Sequence, residues 1–112
     1  MSTTTPKVLI PSKIIEDTEE TQYTADRVTA IIDKCTARNF SGSAETITIS
    51  LVTAADSPGN DNIIISQTIQ AGKTYTFPEV VGHMLMPSGY ISTLASTTNT
   101  ISFRVSGREV TG

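Results

Sequence analysis

The sequence predicts an all-β domain, an antiparallel sandwich or small barrel of about seven or eight strands. β-Branched Thr, Ile and Val are abundant while the helix formers Leu and Lys are sparse, a balance that favours extended chain. Several short stretches alternate apolar and polar residues. The cleanest sets Ile101, Phe103 and Val105 on one face against Ser102, Arg104 and Ser106 on the other, as a half-buried strand requires. Clusters of Gly, Pro, Asn and Asp punctuate the chain between such stretches. At 112 residues the chain is one domain's worth, with a single core.

Residues 1–20 differ in character from the remainder of the chain. Pro6 and Pro11 bracket Val8, Leu9 and Ile10, which argues against a helix or a central strand. An extended arm is expected there, its apolar residues lying on its own domain as an edge strand or on a neighbouring subunit. Ile14 and Ile15 then lead into Glu16, Asp17, Glu19 and Glu20, a solvated acidic turn. The folded domain is expected from residue 21 to 112. Tyr23-Thr24 reads as a short strand and Asp26-Arg27 as a turn into a strand over Val28–Ala37. Its adjacent Ile31 and Ile32 imply either two covered faces or a bulge at an edge or corner. Residues 39–43, Asn-Phe-Ser-Gly-Ser, form a turn.

Glu45–Val52 is a strand with Ile47, Ile49 and Leu51 inward and Thr46, Thr48 and Ser50 outward. Residues 56–62, Asp-Ser-Pro-Gly-Asn-Asp-Asn, are the strongest loop signal; they lack the spacing and closing Glu of a calcium loop. Ile63–Ile69 is a strand ended by Ala71-Gly72-Lys73. Thr74–Phe77 is another, and Pro78–Gly82 is a short helical turn or a loop. Pro87-Ser88-Gly89 turns the chain into a strand over Tyr90–Leu94, with Gly89 as the residue free to take positive φ.

The formal net charge of −3, with no run of Lys or Arg, offers nothing to a nucleic-acid backbone or an anionic membrane. No charged and apolar leader and no membrane-length apolar run is present, so a chain made in the cytoplasm is expected. Asn39-Phe40-Ser41 fits a glycosylation sequon by chance. Cys35 is the single cysteine and reads as a small core residue; it excludes an internal disulfide. His83 is the single histidine, so a metal site or a nucleophile–histidine pair has almost nothing to be built from. Lys73 follows Gly72 without the rest of a phosphate-binding loop. No cofactor, no metal and no catalytic residue is expected. Met84, Leu85 and Met86 either fill the end of the core or contribute to a subunit contact.

Over Lys73–Val110 the motifs resemble those of small structural proteins of tailed bacteriophages. The matching pieces are AGKTYTFPEVVG, the turn before Tyr90-Ile91, the Ala95–Thr100 loop and the terminal Ser106-Gly107-Arg108-Glu109-Val110. QYTADRVTAIIDKCTARNFSGSAETITISLV fits the same proteins. One departure is Pro87-Ser88-Gly89-Tyr90, where the pattern has a Gly-Asp pair. The resemblance implies a β-sandwich of jelly-roll or Greek-key type and a non-enzymatic virion role. That role is a capsid decoration or cement subunit, or alternatively a ring subunit of the neck or collar at the head–tail junction. It implies a homo-oligomer whose partners are a major capsid protein or a connector. The expected subunit contact comprises Val8, Leu9, Ile10, Ile14, Ile15, Met84 and Met86. A glycan-binding tail or fibre module is a further alternative, disfavoured by 5% aromatics and no Trp.

Overall fold

β9 (Ile101–Thr111) is the strand on which one of the two sheets is built, because it pairs along its length with a partner on each side. The computed structural model describes residues 2–111. In chain order the other strands are β1 (Thr3–Ile14), β2 (Glu20–Thr24), β3 (Thr29–Asn39), β4 (Glu45–Val52), β5 (Ile63–Ile69), β6 (Thr74–Thr76), β7 (Met84–Leu85) and β8 (Tyr90–Ala95). The first sheet runs β1-β9-β3-β6, with the two-residue β7 also on β3; the second runs β2-β8-β4-β5. Every pairing is antiparallel. The chain crosses between the sheets at every step from β1 through β4 and again after β5, β7 and β8, the wiring of a double-sheet jelly roll.

The alternation read from the sequence places the core. Ile101, Phe103 and Val105 are buried, and Ile47, Ile49 and Ile91 meet them from the second sheet. Ser50 belongs to the outward set of β4, yet it is fully buried. The Tyr90 hydroxyl donates to the Asp56 carbonyl at 2.9 Å and ties the loop after β4 to β8. Ser50, paired between Ser92 of β8 and Ile63 of β5, has its Oγ enclosed without a hydrogen-bond partner. The adjacent Ile31 and Ile32 do mark a bulge, a register shift between Ile32 and Lys34 against β9. It lies on a strand paired on both sides rather than at an edge.

Residues Thr3–Ile14 of the expected arm are an edge strand, paired with β9 from Thr3↔Thr111 to Ile14↔Ser102. Two irregularities turn adjacent residues to the same side, so Leu9, Ile10 and Ile15 all enter the chain's own core. The prolines fit because an edge strand leaves one row of N–H groups free of the ladder. Leu9 comes so close to β9 that a Cβ on Gly107 would sit 2.8 Å from its Cδ1 and 2.1 Å from the Ile31 carbonyl oxygen. Gly107 is thus required by close approach of three strands and not by its φ.

Two polar clusters tie the sandwich at opposite ends. Tyr23 of β2 donates to Glu109 of β9 at 2.5 Å, and Lys7 of β1 reaches the same carboxylate at 3.3 Å, joining the two sheets. At the other end Asn39 is fully buried; its Nδ2 donates to the Ser43 and Ile69 carbonyls and its Oδ1 accepts from Ser41. That amide belongs to the sequon, and in the folded chain it is enclosed. At the turn before β8 the positive φ belongs to Ser88, at 72°, and not to Gly89. Gly89 is needed for space: a Cβ there would lie 3.0 Å from the Met86 carbonyl oxygen and 3.2 Å from that of Val52. Pro78–Val80 is a single 3₁₀ turn with Pro at its start, followed by Gly82 at φ 88°.

Gly107→Ala is expected to lower unfolding free energy by about 1–3 kcal/mol or more through overpacking, read as a reduced urea midpoint. An unchanged midpoint would show that β1 and β3 can move apart there. Burial, and then its bond to Glu109, raise the Tyr23 phenol above its ordinary pKa of 10.0. The unfolded chain therefore releases this proton first. The contribution is complete below about pH 10 and is lost as pH rises beyond it. Urea midpoints taken between about pH 8 and pH 11 should fall more steeply in the native protein than in Tyr23→Phe.

Candidate functional site

The residues expected at a subunit contact divide by strand geometry. Leu9, Ile10 and Ile15 are enclosed by the chain's own core, whereas Val8 and Ile14 stand exposed on β1. Val8 lies opposite Ser106 and Ile14 opposite Ser102, so both belong to the outer face of the first sheet. Met84 and Met86 are each 60% exposed, the most exposed large apolar side chains described. They flank Leu85, which is buried and paired through β7 to Ala30 of β3. With Ile64 at the start of β5, His83 and Pro87, they wall a groove of about 230 Å³. Ile64, 38% exposed, comes from a strand distant in sequence and was not anticipated. Its place inside an Ile63-Ile64-Ile65 run reads as core, but it lies on the side of β5 opposite buried Ile65 and at the register shift of β5 against β4, which leave it outside.

These side chains form an apolar patch beside a sheet edge, where a partner gains burial without disturbing the core. The free edge of β1 is different in kind. Pro6, Pro11, Lys7 and Lys13 sit along it, and two bulges twist it, features that discourage pairing with another strand.

A second surface has a polar character. The outer face of β3 and β9 carries Lys34, Arg38 and Arg104, all exposed, around a shallow groove of about 410 Å³. Thr36 lies opposite Arg104, so Arg104 is the diagonal neighbour of both Lys34 and Arg38, about 7–8 Å away by sheet geometry. Arg104 donates to Ser12 Oγ at 3.1 Å. Among the described residues none of the three forms a salt bridge, whereas Arg108, on the same strand, is held by both oxygens of Asp33. No local run of basic residues announces this cluster; only strand register assembles it.

The residues that bear chemistry are kept apart from one another. Cys35 is buried, and burial pushes its thiol up to about 12. His83 is exposed on the link before β7, where its backbone carbonyl accepts from Ile32 at 3.1 Å. Among the described residues no three His, Cys, Asp or Glu side chains converge as a metal site would require. In the Asp56–Asn62 loop the polar side chains are turned on the loop itself. Asn62 bonds the Gly59 amide and the Ser57 carbonyl, and Asp56 accepts from the Ser57 amide.

No family model matches the sequence, and no curated protein matches it. Among solved structures, the fold is shared with a protein of Bacillus endospore appendages, a family of disulfide-linked pili. The TM-score is 0.56 at 10% identity, over 99% of this chain and 89% of that one. Lower similarity extends to infectious bursal disease virus of the Gx strain, with TM-score 0.45, 12% identity and 98% of this chain against 32% of that one. For the T13 IBDV viral particle the values are 0.47, 10%, 99% and 31%. At these identities the likeness to the appendage protein is one of fold.

Cys35 should resist a water-soluble thiol reagent in the native protein and react at once in denaturant, followed by absorbance of the released chromophore. Reaction of the native protein at the rate of a free thiol would mean that the core opens readily at β3.

Proposed function

We propose that this chain is a non-enzymatic structural subunit of a virion, most specifically a capsid decoration or cement subunit that staples neighbouring capsid subunits. The observation that carries an assembling role is the apolar patch of Ile64, Met84 and Met86, left exposed on a sandwich whose core is otherwise closed. Burying such side chains stabilises a contact by about 25 cal/mol per Å², and repetition over symmetric copies multiplies a modest contact. The virion assignment is supported by the turn and strand motifs over Lys73–Val110, which resemble those of tailed-phage structural proteins.

A sandwich of this kind builds the disulfide-linked appendage pili, so the fold suits a repeating subunit. A disulfide linkage is disfavoured here, because Cys35 is 2% exposed and is the one cysteine in the sequence. The contact set proposed is Met84, Met86 and Ile64 of the patch, with Val8 and Ile14 on β1. Leu9, Ile10 and Ile15 reinforce it only indirectly, by fixing β1 on β9.

The test is light scattering of the purified protein, alone and mixed with undecorated capsids. Co-elution of a dimer or trimer with capsids is the expected outcome, and Met84→Ser/Met86→Ser should weaken it at least about tenfold while the thermal midpoint is retained. A closed ring that ignores capsids and binds a portal or connector would transfer the assignment to the neck. A monomer that binds neither would reject the assembly reading.

A further inference from the structure

We propose that the basic outer face of β3 and β9 docks the acidic β1–β2 link of a second copy of this chain. This rests on the assembly reading and names one of its contacts. Of the eight Lys and Arg residues, Lys7, Lys13, Arg27 and Arg108 are in ion pairs. Of the other four, Lys34, Arg38 and Arg104 share one groove. Three like charges on neighbouring strands repel one another, and in this arrangement no carboxylate of the described chain relieves them. Ser12, Thr36, Ser102 and Ser106 also line it, with hydroxyl groups able to donate to carboxylate oxygens.

The complement lies in the same sequence. Asp17 and Glu19 are exposed on the link that carries the chain from one sheet to the other and Glu20 is exposed at its end, as the first residue of β2; among the described residues none is paired with a cation. Glu19 and Glu20 are oriented by hydroxyl donors, Ser92 at 2.6 Å and Thr18 at 2.9 Å. Glu16 is already engaged: the amide of Gln22 and then Lys13 hold its carboxyl below the ordinary range. Three free carboxylates thus face the solvent on one surface and three free cations on another.

The net charge of −3 makes two copies repel in most orientations. Meeting of link and groove is the arrangement in which the local charges attract, so it selects one orientation over the rest. Val8 and Ile14 on the same face provide apolar area beside the ion pairs.

The test is sedimentation velocity on the full chain and two charge-reversed variants, Lys34→Glu/Arg38→Glu/Arg104→Glu and Asp17→Lys/Glu19→Lys/Glu20→Lys, each checked for an unchanged circular dichroism spectrum and thermal midpoint. The native chain is expected to self-associate, with a dissociation constant rising at least about tenfold between ~50 mM and ~500 mM NaCl. Each variant alone should be monomeric. Mixed in equal amounts they should associate again, because each then meets the charge it lacks. Native-like association of either variant alone, or failure of the mixture to associate, overturns the proposal. If the native chain self-associates while reversal has no effect, this contact is wrong and the assembly reading stands. A native chain that is monomeric at all salt concentrations but binds a polyglutamate peptide assigns the groove to a foreign acidic partner and also overturns it.

Discussion

Much of this molecule depends on β9 being flanked on both sides. Its pairing with β3 closes the first sheet, and its pairing with β1 brings Leu9, Ile10 and Ile15 into the core. Both pairings converge on Gly107, where the Ile31 carbonyl and the Leu9 side chain approach more closely than any other residue would allow. A glycine in a strand interior ordinarily weakens the strand. Here it permits β1 to stay close enough to β9 for a strand interrupted by two prolines to remain ordered. Nearby, Tyr23, Glu109 and Lys7 tie β2 to the same pair of strands.

The strand pattern was legible because burial on one face writes itself into the sequence with period two. Ile101, Phe103 and Val105, and Ile47 and Ile49, pointed inward as expected. What is set by long-range pairing was not legible. Pro6 and Pro11 show that β1 must lie at an edge, but not which strand receives it. Ser50 looks outward in its own strand and is nevertheless buried, and Tyr90 bonds the Asp56 carbonyl across three intervening strands of chain. At the turn before β8 the sequence points to Gly89 for the positive φ, which Ser88 takes instead. Crowding by the Met86 and Val52 carbonyls, visible only in three dimensions, assigns Gly89 to close contact.

The candidate surfaces were legible to different degrees for the same reason. Met84 and Met86 drew notice as apolar residues beside a turn, and they are exposed; Ile64, which joins them, lies in a run that reads as core. Lys34 and Arg38 occupy outward positions of one strand and look like ordinary solvated residues. Register with Arg104 turns them into a cluster. Composition reports the sum of the charges, and the sum here is negative. The fold gathers three cations on one face and three carboxylates around the β1–β2 link, a local separation to which net charge is blind.

The register of β1 and β9 begins at Thr3 opposite Thr111, so the two ends of the described chain leave the sandwich side by side. Opposed residues on antiparallel strands sit only about 5 Å apart. A short bridge would therefore join the ends without unpicking a ladder, and fresh ends could be opened in the loop between β4 and β5. The strand order in space does not depend on where the polypeptide happens to start. The same sandwich could be embedded as an insert in a surface loop of a larger host, entering and leaving through a single narrow neck.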